Sequence, residues 1–210
     1  MPHSTNIFKT ETVKFIKKNF YAHHKILDIG VGAGTYSDLL RSDFEHMDGV
    51  EVFEPYLEMF NLRDKYQNVY ISNACDFDFE FYDLIIVGDV LEHISEEDGI
   101  AFINKIYDKC SDLIIGIPFN SPQGVHYDNE YEIHLQDSLT HKSFLEKYKG
   151  FRPLCLRYDY GIYVKDSTAN KYLDIVLEED TIGHQVPEFS DTFKTDLQND
   201  YPDVNILRYE

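Results

Sequence analysis

The sequence has few cysteines, few basic residues and no long apolar run, and each shortage argues against a class of protein. Its three cysteines are far apart and form no CxxC pair, which argues against a disulfide framework or a zinc site. No stretch approaches the roughly 20 apolar residues that a membrane-spanning helix needs. The first residues also lack the pattern of a signal peptide, so we expect a cytoplasmic protein with no membrane partner.

Acidic residues outnumber basic ones by 38 to 19, which gives a formal net charge of −19. A surface of this charge repels phosphate backbones, so we expect no nucleic-acid partner. Hydrophobic residues make up 43% of the chain and aromatic residues 15%, which is enough for a packed core. The length of 210 residues suits one α/β domain with short extensions.

Short apolar runs alternate with segments of helical period along most of the chain. The runs predict strands at 25–29, 46–52, 69–72, 82–88 and 112–117, followed by two adjacent strands at 154–159 and 161–165. The helical segments lie at 6–20, 35–42, 55–65, 96–109 and 141–149. The sequence therefore predicts a doubly wound α/β fold: a mostly parallel seven-stranded sheet with helices on both faces and a C-terminal antiparallel hairpin.

A glycine-rich turn follows the first predicted strand. Gly30, Gly32 and Gly34 come at every second position after the strand, and the next helix begins near Thr35. Without a Cβ atom, this backbone bends sharply and approaches a ligand closely, while the free N–H groups of the helix face the same place. Asp28, at the end of the strand, is placed to accept hydrogen bonds or to face a cation. The segment predicts a ligand-binding turn.

Glu51 ends the second predicted strand, about 20 residues after the glycine turn, where a carboxylate commonly accepts hydrogen bonds from both ribose hydroxyls. Either a dinucleotide-binding unit or a nucleoside-binding methyltransferase would fit these features. The spacing G-x-G-x-G places Thr35 where the last glycine of G-x-G-x-x-G would stand. Asp28 also suits a cationic ligand better than a pyrophosphate. S-adenosylmethionine carries an ammonium and a sulfonium and no phosphate.

The segments ILDIGVGAG, GVEVFEP and YDLIIVGDVLEHI together resemble the class I methyltransferase family, and the resemblance covers residues 26–165. It implies S-adenosylmethionine as the cofactor. It also implies that the glycine turn contacts the methionine part, that Glu51 contacts the ribose, that Asn73 contacts adenine where the family often has an acid, and that Asp89 lies beside cofactor and substrate. The predicted cofactor-binding residues are Asp28, Gly30, Gly32, Gly34, Glu51, Val52, Asn73, Ala74 and Asp89.

On this basis we divide the chain into an N-terminal helix that packs on the domain (1–24), a cofactor-binding methyltransferase domain (25–165) and an acidic C-terminal extension (166–210). The extension is weakly periodic. It would wrap the domain, form an oligomer contact or stay partly loose, and the oligomeric state is left open, with a homodimer as one arrangement.

The run Asp89-Val-Leu-Glu92-His93 has two interpretations. In the first, Asp89 lies beside the cofactor while Glu92 and His93 brace the next helix. We adopt this one and predict no metal ligand. In the second, the run holds Mg²⁺ or Mn²⁺ at substrate hydroxyls together with a distant histidine, as the acid-x-x-Glu-His run of some methyltransferases does. His134 or His126 would then be the distant ligand.

The loop at 126–134 follows the fifth strand, so we expect it to lie over the ligand crevice. A hydroxyl acceptor loses its proton as the methyl arrives, and histidine is the usual base. We predict His134 as the catalytic residue and His126 as the second choice, with Tyr127 and Tyr131 as a pocket wall or lid. The predicted function is methyl transfer to oxygen or nitrogen of a small polar or sugar-like molecule. The alternatives are a nicotinamide-dependent oxidoreductase and a non-catalytic relative that binds the nucleoside.

Overall fold

A computed structural model of the chain describes residues 5–126, 128–178 and 191–209. The strands in these ranges are β1 (Lys25–Ile29), β2 (His46–Glu51), β3 (Asn68–Ile71), β4 (Tyr82–Gly88), β5 (Cys110–Pro118), β6 (Phe151–Arg157), β7 (Tyr160–Lys165), β8 (Ile175–Leu177) and β9 (Ile206–Arg208). The α-helices are α1 (Lys9–Asn19), α2 (Thr35–Leu40), α3 (Tyr56–Met59), α4 (Glu96–Tyr107), α5 (His141–Lys147) and α6 (Asp191–Asp200). Short 3₁₀ turns occupy Leu62–Asp64, Leu91–His93 and Glu130–Glu132.

All nine strands of the described residues form one sheet in the order β3-β2-β1-β4-β5-β7-β6-β8-β9. Strands β1 to β5 are parallel, and β7 runs antiparallel to both β5 and β6. The chain winds outward from β1 in one direction and returns at β4 to wind in the other. A crevice therefore opens at the carboxyl ends of β1 and β4, where ligands bind in open α/β sheets.

The central strands β1, β4 and β5 are mostly apolar because helices cover both faces of the sheet. Successive residues of β1 point to opposite faces: Leu27 joins one buried cluster and Ile26 the other. The first cluster contains Phe102 of α4, and the second contains Ile16 of α1. Packing on both faces fixes the strand ends that carry the candidate site.

The predicted fold class is confirmed, but the predicted count of seven strands is too low by two. Strands β8 and β9 have three residues each, too few to show an alternating pattern, and lie in the predicted acidic extension. β8 pairs with β6 and β9 pairs with β8, both in parallel, so the described part of the extension continues the sheet. Residues 1–4 of the predicted N-terminal segment, residues 179–190 of the extension and Tyr127 lie outside the described residues.

A buried arginine ties the extension to the rest of the sheet. The guanidinium of Arg152 in β6 donates from Nη1 to the carbonyl oxygen of Asn170 at 2.6 Å and from Nη2 to that of Leu173 at 2.9 Å. The Asn170 side chain in turn donates to Asp112 of β5 at 2.8 Å. These bonds hold the segment before β8 against the sheet.

None of the helices in the described ranges is both long and apolar enough to cross a lipid bilayer.

Candidate active site

The turn after β1 brings bare backbone to the crevice. Gly30 has a φ of 69°, and a Cβ atom there would lie 2.4 Å from Cγ2 of Val90. Its N–H donates to the carbonyl oxygen of Val50 at 2.9 Å, which fastens the turn to β2. Only glycine combines this backbone conformation with so close an approach. The loop after β4, which carries Val90, therefore lies directly against the turn.

Glu51 holds the turn from the neighbouring strand. Its Oε2 accepts from the N–H of Gly32 at 3.0 Å, and its Oε1 accepts from the N–H of Phe53 at 2.9 Å. The side chain is 5% exposed. Burial raises the pKa of Glu51, while the backbone N–H groups of Phe53 and Gly32 act in the opposite direction. Each carboxylate oxygen keeps a second lone pair, so the side chain can still accept from two ligand hydroxyls.

A first cavity, with an empty volume of about 820 Å³, opens between the ends of β1, β2 and β4. Seven of the nine predicted cofactor-binding residues line it, namely Gly30, Gly32, Glu51, Val52, Asn73, Ala74 and Asp89. The sequence motifs thus converge on one space.

Asp28 and Gly34 are the two predicted cofactor-binding residues that are not in this wall. Asp28 lies behind it, 2% exposed, and Oδ2 of its carboxyl accepts from the hydroxyl of Tyr66 at 2.6 Å. Gly34 makes room for another side chain, because a Cβ atom at this position would lie 2.7 Å from Cδ of Lys65. Lys65 donates to the carbonyl oxygen of Ala33 at 2.8 Å. Both residues support the turn from outside the cavity.

Asp28 should make the stability of the ligand-free protein depend on pH. Burial raises the pKa of its carboxyl from 3.8 to about 7, although the hydrogen bond from Tyr66 acts against this. Between these values the unfolded chain has released the proton and the folded chain retains it, so stability falls as pH rises. Asp28→Asn cannot titrate at this position. We expect its free energy of unfolding, relative to that of wild type, to rise by on the order of 2–3 kcal/mol when the pH is raised from 5 to 8.

Urea denaturation of both proteins at the two pH values measures this difference. Asp78→Asn removes an exposed carboxyl and is the matched control. We expect its free energy of unfolding to differ from that of wild type by the same amount at both pH values. A constant difference between wild type and Asp28→Asn would show that Asp28 is ionised in the folded state.

The backbone is strained at Asp89, directly after β4. This residue has a φ of 57°, in the left-handed region that few non-glycine residues occupy. Its N–H donates to the carbonyl oxygen of Gly116 at 3.0 Å, and its Oδ1 accepts from the hydroxyl of Tyr160 at 2.7 Å. No group in the described ranges forms a hydrogen bond with Oδ2. Such strain is common where a side chain is positioned for function.

Glu92, His93 and His134 come together beside Asp89. One ligand atom from each lies within 4.8 Å of the others. Nδ1 of His93 is 3.2 Å from the carbonyl oxygen of Ile133, and Nδ1 of His134 bonds the carbonyl oxygen of Ser121. A carbonyl oxygen only accepts, so each Nδ1 carries the proton and each Nε2 keeps a lone pair.

The electrostatics of this cluster favour a bound cation. Burial, followed by the charge of His134, lowers the pKa of His93 to about 4, so the ring is neutral at pH 7. Burial and then the charge of Asp89 raise the pKa of Glu92 well above its usual value. Oε2 of Glu92 has no hydrogen-bond partner among the described residues. Two imidazoles and a buried carboxyl group are a ligand set for a divalent metal.

A second cavity lies on the other side of this cluster. Its wall includes Glu92, His134 and Tyr160, the residues Thr5 and Ile7 before α1, and much of the loop after β5. Asp89 and His93 line both cavities. The two cavities are therefore neighbours that share these two side chains as part of their walls.

The loop after β5 (residues 119–139) also closes the first cavity, through residues that the sequence did not indicate. Tyr56 of α3 donates its hydroxyl to Oε1 of Glu132 at 2.9 Å, and Nδ2 of Asn129 is 3.4 Å from the same hydroxyl. All three side chains are buried. Tyr56 is more than 70 residues from the other two along the chain, so no local pattern indicates the contact.

The two predicted catalytic histidines differ in their positions. His134 lines the second cavity, whereas His126 is in the wall of neither cavity and forms an isolated bridge with Asn129 in the described part of the loop. Tyr131, predicted as wall or lid, lines the first cavity and is 54% exposed. Its companion Tyr127 is outside the described residues.

The segment that forms most of the first cavity is similar in sequence to a known protein family. Residues 27–110 match a family model described as a methyltransferase domain. This span contains the glycine turn, Glu51, Asn73 and the Asp89 to His93 run. No curated protein is similar enough in sequence to count as a relative.

Several solved structures share the fold. An S-adenosylmethionine-dependent methyltransferase from Clostridium acetobutylicum superposes with a TM-score of 0.57 at 12% identity, over 73% of this chain and 87% of that one. The methyltransferase domain of bacterial CtHen1-CN gives 0.57 at 23% identity, over 74% and 95%. Magnesium protoporphyrin IX methyltransferase from Synechocystis, with bound S-adenosylhomocysteine, gives 0.53 at 15% identity, over 74% and 80%.

Proposed function

We propose that the chain is a class I, S-adenosylmethionine-dependent methyltransferase that methylates a hydroxyl group of a small polar or sugar-like acceptor, since residues 27–110 match a methyltransferase domain. The cofactor occupies the first cavity in this proposal, and the acceptor occupies the second. The observation that carries it is that Asp89 and His93 line both cavities, so ligands in the two cavities would lie next to each other. A methyl group passes between two ligands only where they touch.

The first cavity fits the cofactor. Glu51 accepts from the ribose hydroxyls through its remaining lone pairs, and the bare backbone at Gly30 and Gly32 contacts the methionine part. Asn73 and Ala74 lie on the side of adenine. The bound cofactor supplies a methyl group activated by its attachment to a sulfonium. The chain contributes alignment and exclusion of water, and proximity of this kind lowers a barrier by several kcal/mol.

A hydroxyl is favoured over an amine because of the cluster beside Asp89. Glu92, His93 and His134 would hold a divalent cation, whose charge would lower the pKa of an acceptor hydroxyl. If the cation is absent, His134 remains the candidate base, as predicted from the sequence. Asp89 in the wall of the second cavity and the net charge of −19 disfavour an anionic acceptor, so the proposed acceptor is neutral or cationic.

Calorimetry and a turnover assay test this proposal. We expect the protein to bind S-adenosylhomocysteine and not NAD⁺. We also expect it to release S-adenosylhomocysteine from S-adenosylmethionine in the presence of sugars, polyols or catechols, more slowly with a chelator, and at the original rate after Mn²⁺ is restored. Turnover only with amines would contradict the proposal of a hydroxyl acceptor. Turnover that a chelator leaves unchanged would contradict the proposal of a bound cation. Binding of NAD⁺ alone would contradict the whole proposal.

A further inference from the structure

Lys9, the first residue of α1, has a buried amino group with no hydrogen-bond partner among the described residues. The residue is 6% exposed, and its Nζ lies 4.0 Å from the centre of the Tyr36 ring. Burial acts to lower the pKa of Lys9, but Tyr36 and the charges of Asp89 and Asp28 outweigh it and raise the pKa. The ammonium is therefore charged at neutral pH. An unpaired buried charge is costly, which indicates that a partner is missing.

Two more polar groups near Lys9 lack partners in the described part of the chain. The hydroxyl of Tyr36 is buried and unpaired, and so is Oδ2 of Asp89. The other carboxylate oxygen of Asp89 is already bonded to Tyr160. One cation, one hydroxyl donor and one anion thus stand together with unused hydrogen-bonding capacity. A ligand that has both a carboxylate and an ammonium would satisfy all three.

Of these groups, Asp89 lines the first cavity, and Tyr36 lies behind Gly88, which lines it too. A Cβ atom on Gly88 would lie 2.9 Å from Cε2 of Tyr36 and 3.5 Å from its hydroxyl, so the Tyr36 side chain comes up to the wall only because residue 88 is glycine. Asp89 is itself part of the wall. The described residues of this wall include no lysine or arginine, and Lys9 lies against the Tyr36 ring behind Gly88.

We propose that Lys9 and Tyr36 bind the carboxylate of the methionine part of the cofactor, and that Oδ2 of Asp89 accepts from its ammonium. This proposal rests on the placement of the cofactor in the first cavity. Lys9 and its helix lie outside residues 27–110, so the family match does not supply this contact. Helix α1 thereby becomes part of the cofactor site, with Lys9 as the residue that selects a ligand carrying an amino-acid group.

Calorimetry with two ligands tests the proposal. S-adenosylhomocysteine and 5′-methylthioadenosine share the nucleoside and the thioether, but only the first has the amino-acid group. We expect Lys9→Met to weaken the binding of S-adenosylhomocysteine by about tenfold or more, because a charged hydrogen bond is lost. The affinity for 5′-methylthioadenosine should stay within about twofold of the wild-type value. Lys14→Met, which removes an exposed lysine of the same helix, should change neither affinity.

Tyr36→Phe removes one hydroxyl from the same site and keeps the test open if Lys9→Met fails to fold. We expect it to weaken the binding of S-adenosylhomocysteine by about threefold and to leave the affinity for 5′-methylthioadenosine unchanged. Equal weakening of both ligands, or no change for S-adenosylhomocysteine in a folded variant, would overturn the role of Lys9. Failure of the wild-type protein to bind either ligand would overturn the proposed function itself.

Discussion

Replacing Glu51 with alanine is expected to weaken the binding of S-adenosylhomocysteine by about 100-fold or more, because two charged hydrogen bonds to the ribose are lost together. The geometry supports this size of effect. Both carboxylate oxygens are already oriented by backbone N–H groups, so the acceptor positions are fixed before a ligand arrives. Isothermal titration calorimetry measures the loss directly.

Two variants separate the loss of ribose contacts from damage to the turn. Glu51→Gln keeps the size of the side chain and one oxygen acceptor, so it should fall between wild type and alanine. Glu54→Ala removes an exposed acid three residues away and should bind like wild type. Near wild-type affinity in a folded Glu51→Ala protein would place the ribose elsewhere in the cavity.

Replacing His134 with alanine is expected to lower the rate of methyl transfer by about 100-fold or more, whether the residue acts as base or as cation ligand. Affinity for Mn²⁺ distinguishes the two roles, because the substitution weakens binding of the ion only if His134 is one of its ligands. Since His134 does not line the first cavity, affinity for S-adenosylhomocysteine should stay close to wild type.

His126→Ala is the matched control for this prediction, since it removes the second-choice histidine from the same loop. We expect it to retain most of the rate and all of the Mn²⁺ affinity. A larger loss in His126→Ala than in His134→Ala would reverse the assignment of the two histidines. Unchanged rate and Mn²⁺ affinity in both variants would remove the loop from the chemistry.

The sequence predicted the parts of the fold and site that depend on local patterns. The glycine turn and Glu51 follow from the end of one strand and the spacing to the next, and β1 to β5 follow from apolar runs. Strands β8 and β9 are too short to carry such a signal. Their position depends instead on hydrogen bonds from buried Arg152 to a distant segment, which no periodicity encodes.

Contacts between distant segments also explain where the prediction of the site was incomplete. Asp28 was predicted to face the ligand, but in the fold its carboxyl bonds to Tyr66 behind the wall, a partner 38 residues away. Tyr56 and Glu132 meet across 76 residues. No pattern in the sequence distinguishes Lys9, and only tertiary packing shows that its amino group is buried.

The loop after β5 has a consequence for the order of events in a catalytic cycle. Its residues Asn129 and Glu132 line the first cavity, and Gln123 and His134 line the second. Backbone N–H groups of Leu135 and Gln136 both donate to the carbonyl oxygen of Glu92, which fastens the same loop to the shared boundary. The same loop is therefore part of both walls, so a displacement of the whole loop would open both cavities. In the proposed reaction, release of S-adenosylhomocysteine and entry of the next acceptor would then depend on one segment of the chain.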